Sequence, residues 1–173
     1  MEMNSALIVI DVQEGLVQAG PYEKDRVLQT VSGLIEQARQ QQVPIVFVRH
    51  ADEPGGLLEP ESAAWEFYRS ISPEEADTVI EKTHNSAFYQ TNLQEELERL
   101  GATRVVLCGL QTEYCVDATC KSAFERGFDV VVVQDGHSTL GEGPVSAEKL
   151  KELYGETIWP GRFAEVVKTL ERF

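Results

Sequence analysis

Four apolar runs rich in β-branched residues, at positions 7–10, 43–48, 105–110 and 130–133, constrain the fold more than any other feature of the chain. None alternates apolar with polar side chains. Each therefore suits a strand covered on both faces, as in a parallel sheet between two layers of helices. Between the first two runs, Val27, Leu28, Val31, Leu34, Ile35 and Ala38 recur at helical spacing, which predicts a helix with one face on that sheet. Before the third, Thr91 and Gln94 have the spacing of a capping box. Leu93, Leu97 and Leu100 form the stripe of that helix, and Gly101 supplies its stop. Residues 117–126, closed by Gly127, and residues 146–154 predict two more helices, and residues 78–81 a further short strand. Elements alternating in this way imply a three-layer α/β fold. At 173 residues the chain suits a single domain over 1–173.

Charge narrows the partners. Fifteen Lys+Arg against 29 Asp+Glu leave a net charge of -14, which repels a phosphate backbone or an anionic membrane surface, so neither nucleic acid nor membrane is an expected partner. The apolar run ahead of Asp11 is too short for a signal or a membrane span, and the expected location is cytoplasmic. Cys108, Cys115 and Cys120 lack the spacing of a zinc or redox motif and are too few for a disulfide framework. No G-x-G-x-x-G or phosphate-binding loop follows any of the runs.

Three residues each follow a different predicted strand: Asp11, Lys82 and Cys115. In a parallel sheet such positions share the carboxyl edge, where open α/β sheets bind ligands. Cys115 also precedes the helix that starts near Val116, whose positive end is expected to stabilise a thiolate. Cys108 lies inside a strand run and reads as core, while Cys120 falls on another helical face. Residues 51–75 contain Pro54, Gly55, Gly56, Pro60 and Pro73 beside Trp65, Phe67 and Tyr68, and read as a binding lid.

Ile8-Val9-Ile10-Asp11-Val12-Gln13, Lys82-x-x-x-Ser86-Ala87-Phe88 and Gly109-Leu110-Gln111-Thr112-Glu113-Tyr114-Cys115-Val116, in that order, resemble the motifs of the isochorismatase-like cysteine hydrolases. The likeness extends to Asp135 and covers most of the chain. It implies a Rossmann-like α/β/α fold with a parallel sheet of about six strands. It also implies a catalytic triad of Asp11 as acid/base, Lys82 as the positive group and Cys115 as nucleophile. A non-proline cis peptide is expected between Leu110 and Gln111, with the backbone N–H groups of Gln111 and Cys115 forming an oxyanion hole.

The implied activity is hydrolysis of a small amide, carbamoyl or lactam C–N bond through a thioester, with no cofactor. The partners implied are a small-molecule substrate and further copies of the chain in a dimer or larger assembly. Tyr22, Trp65, Phe67, Phe88 and His137 are the expected substrate-binding residues. Nicotinamidases of that family hold a metal with an Asp-x-His pair and a second histidine. Here only His50 and Asp52 stand after the second strand, so no metal is expected. The alternatives are a vinyl-ether hydrolase, which the presence of Cys115 disfavours, and a non-catalytic α/β binding or scaffold protein.

Overall fold

The computed structural model describes residues 4–141, 143–168, 170 and 173. Its strands are β1 (Ser5–Ile10), β2 (Ile45–His50), β3 (Thr78–Lys82), β4 (Arg104–Leu110), β5 (Asp129–Ser138) and β6 (Glu165–Val167). The helices are α1 (Glu14–Gln18), α2 (Lys24–Gln40), α3 (Leu93–Arg99), α4 (Asp117–Glu125) and α5 (Ala147–Leu153). All strand pairs are parallel, in the order β3-β2-β1-β4-β5-β6.

The continuous apolar runs work because successive side chains of a strand point to opposite faces and both faces are covered. Leu7 and Val9 of β1 pack with Val27, Val31, Leu34 and Ala38 of α2 in one layer. Ala6, Ile8 and Ile10 pack with Leu93 and Leu97 of α3 and Cys120 and Ala123 of α4 in the other. Every residue of β1 is buried. Burying each large aliphatic side chain is worth about 1.5–3 kcal/mol, and a one-residue slip would exchange the side chains of the two faces and misfit both layers. Cys108 belongs to the first layer and Cys120 to the second, so the sheet separates them.

Several boundaries differ from the sequence reading. Val43 and Pro44 lie outside β2, because the Val43 N–H turns back to the Ala38 carbonyl (2.8 Å) to close the end of α2. β5 runs on through residues 134–138, after a register shift against β4 between Leu107 and Gly109. The capping box does not close. Thr91 Oγ1 accepts from Leu93 N (3.3 Å), but Gln94 Nε2 reaches forward to Glu98 instead of back. β6 is a three-residue edge strand whose shortness left no pattern to read. Among the described residues no helix is long and apolar enough to cross a membrane.

Candidate active site

In this strand order β1 and β4 are neighbours, and the chain leaves them toward opposite edges of the sheet. A crevice therefore opens above their carboxyl ends. Asp11 follows β1 directly, with φ at 51°, a left-handed conformation that aspartate tolerates better than most residues. Gly109, near the end of β4, has φ at 125°, and a Cβ there would lie 2.0 Å from the Ile10 carbonyl oxygen, so only glycine lets β4 pass β1. The peptide between Leu110 and Gln111 is cis. Residues Thr112–Val116 then form one π-helical turn that runs into α4, with Cys115 inside it. The Gln111 carbonyl accepts the N–H groups of Tyr114 (3.2 Å) and Val116 (3.1 Å). Lys82 closes β3, where alternation buries Ile80 and Lys82 and turns Val79 and Glu81 outward.

The three predicted residues meet, and a fourth joins them. Lys82 Nζ lies 2.7 Å from Asp11 Oδ2, 3.2 Å from Cys115 Sγ and 3.1 Å from Nδ1 of His50, its register partner on β2. Burial works against the lysine charge, but Asp11 and Cys115 outweigh it and hold the Lys82 pKa above its ordinary value. Burial, then the adjacent Asp11 carboxylate, push the Cys115 thiol up, and Lys82 only partly opposes them. The expected lowering of this thiol pKa by a helix end is thereby overturned. The residue is enclosed beside a carboxylate, and both features disfavour its thiolate. His50 is held below the ordinary histidine range by burial and then by Lys82, with Asp11 and Asp52 pulling the other way.

Asp11, His50 and Cys115 offer three ligand atoms within 4.8 Å of one another, a set that on distance alone could hold a metal ion. The ammonium of Lys82 already touches all three, and the remaining His50 nitrogen, Nε2, faces Asp52 Oδ1 at 3.2 Å. A divalent cation would have to share that space with a buried lysine charge. These residues do not fit a metal.

Over the centre lies a cavity of about 260 Å³. Its floor is Asp11, His50, Asp52 and Cys115, its apolar wall Leu16, Leu57 and Leu58, and its polar rim Asn85, Gln111 and Tyr114. The aromatic residues expected to bind substrate lie elsewhere. Tyr22 is exposed, with its hydroxyl 3.3 Å from Glu148. Trp65 is buried under the Arg49 guanidinium, 3.3 Å from the ring centre. Phe67 meets Phe47 edge-on at 5.8 Å, and Phe88 packs against Phe128 at 6.0 Å. His137 lies within β5, fully buried, with Nδ1 2.8 Å from Thr112 Oγ1 and its ring against Trp159; burial lowers its pKa to about 3. Asp135 pairs with Arg26 at the surface.

The loop over residues 51–75 thus turns its aromatics inward as a plug and presents Leu57 and Leu58 to the cavity. Gln13 holds this arrangement. Its side chain accepts from His50 N (2.9 Å) and donates to the carbonyls of His50 (2.9 Å) and Trp65 (2.8 Å). Gln13 stood in the first quoted motif without a role, and a polar residue three positions past a buried strand end was the available signal.

The model of the isochorismatase domain matches residues 5–169 of the chain. The chain belongs to the isochorismatase family. Among its curated relatives, a streptothricin hydrolase of Streptomyces noursei is 35% identical over 137 residues, covering 78% of this chain and 54% of the relative. The chain thus spans about half the length of that relative. A crystal structure of an isochorismatase family protein superposes with a TM-score of 0.87 at 34% identity, covering 95% of this chain and 98% of the other. The N-carbamoylsarcosine amidase of Thermoplasma acidophilum superposes with a TM-score of 0.79 at 27% identity, covering 98% of this chain and all of the other (100%).

Proposed function

We propose that this isochorismatase-family chain is a cysteine hydrolase that cleaves the C–N bond of a small amide, carbamoyl group or lactam through a thioester on Cys115. The observation that carries the reading is the buried ammonium of Lys82, 2.7 Å from a carboxylate and 3.2 Å from a thiol at the floor of a cavity. The names of two relatives, a streptothricin hydrolase and an N-carbamoylsarcosine amidase, support hydrolysis. The cavity volume lies just below the usual range for drug-sized ligands, roughly 300–1,000 Å³, which favours a small acyl group.

In the proposed cycle the Cys115 proton passes to Asp11 as sulfur attacks the carbonyl carbon, so charge is generated only when the substrate is in place. The C–S bond forms and the oxyanion is received by the N–H groups of Gln111 and Cys115. Collapse breaks the C–N bond, and Asp11 returns the proton to the departing nitrogen. Water then gives a proton to Asp11 while its oxygen attacks the thioester. The C–S bond breaks, the acid leaves, and Cys115 regains its proton. Lys82 keeps its charge throughout and offsets the negative charge that moves between sulfur and carboxylate.

A mass-spectrometric screen of amides, ureas and lactams tests this reading. A substrate should add its acyl mass to Cys115, more persistently in Asp11→Asn if acylation survives. No adduct on Cys115 from any compound that the protein turns over would refute it.

A further inference from the structure

The triad leaves part of the lysine unexplained. A buried ammonium has three protons and no acceptor of its own, and each must find a partner. Asp11 and Cys115 supply two, and the third contact is His50 Nδ1 at 3.1 Å. Since the lysine can only donate, Nδ1 must accept. The proton of the neutral ring then sits on Nε2, which faces Asp52 Oδ1 at 3.2 Å.

We propose that His50 is a positioning residue for this centre: its bare Nδ1 takes the third proton of Lys82, and Asp52 holds the ring in that tautomer, keeping the ammonium between Asp11 and Cys115. The proposal rests on the hydrolase reading and deepens it by naming what aims its cation. It has independent support in how thoroughly the histidine is fixed. Gln13 engages both the His50 backbone N–H and its carbonyl at 2.9 Å, so the ring starts from a clamped backbone. Asp52 has a second commitment, since its Oδ2 accepts the Leu58 N–H at 2.8 Å while its own N–H donates to the Leu58 carbonyl at 3.0 Å. The loop wraps so closely there that a Cβ on Gly56 would stand 2.5 Å from the Asp52 side chain. Through Asp52, the ring is tied to the apolar wall of the cavity that meets the substrate.

The charged and titratable groups facing the His50 ring are Lys82 from β3, Asp11 after β1, Asp52 after β2 and Cys115 from the turn after β4. Protonation of Nδ1 would set N–H against N–H and drive the ammonium off its aim. Burial and Lys82 hold the ring neutral below the usual histidine range.

The test is the pH profile of Cys115 alkylation by iodoacetamide in the full chain, read by peptide mass spectrometry. Cys108 and Cys120, both fully buried, serve as internal references. His50→Ala removes the acceptor, whereas His50→Asn returns an oxygen close to the place of Nδ1. In His50→Ala the profile should move about one unit to higher pH, a roughly tenfold slower reaction at any pH on its rising limb. His50→Asn should return to within about twofold of the wild type if the acceptor is what matters. Thermal unfolding of both variants separates misfolding from misaiming.

A wild-type profile in His50→Ala, or an equal displacement in both variants at equal stability, would overturn the proposal. The acyl-adduct screen reports on the hydrolase reading separately: an adduct on Cys115 with an unmoved His50→Ala profile leaves that reading standing and removes this one.

Discussion

Two histidines stand near the carboxyl edge of the same sheet and do opposite things. His50, at the end of β2, faces Lys82 on the floor of the cavity and is bound on both ring nitrogens. His137, within β5, is sealed against Trp159 and Thr112, with Nε2 buried and unpartnered. Both are kept neutral, first by burial in each case. The difference is what covers them. β2 and β5 each stand one strand from the crevice, but His50 opens onto the cavity whereas His137 is closed off by Trp159. A position at a strand end is therefore not a site. A charge partner and a cavity make it one.

The sharpest way to separate the two ends is to remove the nucleophile. On any amide that the protein hydrolyses, Cys115→Ser should lower kcat by on the order of a thousandfold or more, about 4 kcal/mol, with an unchanged unfolding midpoint because the change is nearly isosteric. Steady-state kinetics beside thermal denaturation checks both halves. Adding Asp11→Ala should cost hardly more, since no thiol proton is left for Asp11 to accept. Lys82→Ala is the poorer probe. It strands a fully buried Asp11 carboxylate, at a cost of about 3–5 kcal/mol to the fold itself.

The sealed end should respond in stability and hardly at all in chemistry. Trp159 is fully buried, donates its indole N–H to Asp117 Oδ1 at 2.9 Å and packs on His137. Trp159→Ala leaves a cavity and an unpaired acceptor, and should lower stability by about 3 kcal/mol in urea unfolding. Activity per folded molecule should stay close to wild type. A collapse of turnover in the folded fraction would mean that the two ends are coupled.

The same contrast shows what the sequence could disclose. The four central strands, α2 and the meeting of Asp11, Lys82 and Cys115 were legible because continuous apolar runs demand a parallel sheet, and a parallel sheet gathers its strand ends on one edge. The direction of the aromatics in residues 51–75 was not legible. Trp65 and Phe67 carry the same letters whether they face a ligand or plug the core, and only Arg49 over Trp65 and Phe47 against Phe67 decide it. His50 was seen solely as half of a poor metal pair, because its tautomer depends on a lysine 32 residues away. His137 was expected to meet substrate because it follows the apolar run 130–133, but β5 continues past that run and pairs His137 with Gly109 inside the sheet.

Acid should tilt the stability balance through His137. Its folded pKa, about 3, is far below the ordinary value near 6.5, so between these limits the unfolded chain binds the proton and the folded chain does not. Stability rises with pH wherever the unfolded state holds more protons, and it is therefore lost as pH falls through this window. One histidine contributes a drop of about 2 kcal/mol between pH 7 and pH 5. The difference between the wild-type and His137→Gln unfolding curves at the two pH values isolates that share. His50 adds in the same direction. Curves that shift in parallel would show that His137 is not kept neutral by the fold.

The smallest expected effect is none, and it concerns metal. Neither histidine has a nitrogen to spare for an ion: His50 commits Nδ1 to Lys82 and Nε2 to Asp52, and the open nitrogen of His137 is buried with Trp159 beside it. A divalent cation between Asp11, His50 and Cys115 would have to expel an ammonium whose pKa is raised beside Asp11, and would leave that lysine buried without its carboxylate. Dialysis against a chelator should therefore leave hydrolysis of any substrate unchanged. Zinc returned afterwards should at most inhibit, by competing for the Cys115 thiol. Loss of turnover on chelation and its recovery with zinc would mean that Lys82 gives way to a metal, and His50 would then belong to that metal and not to the lysine.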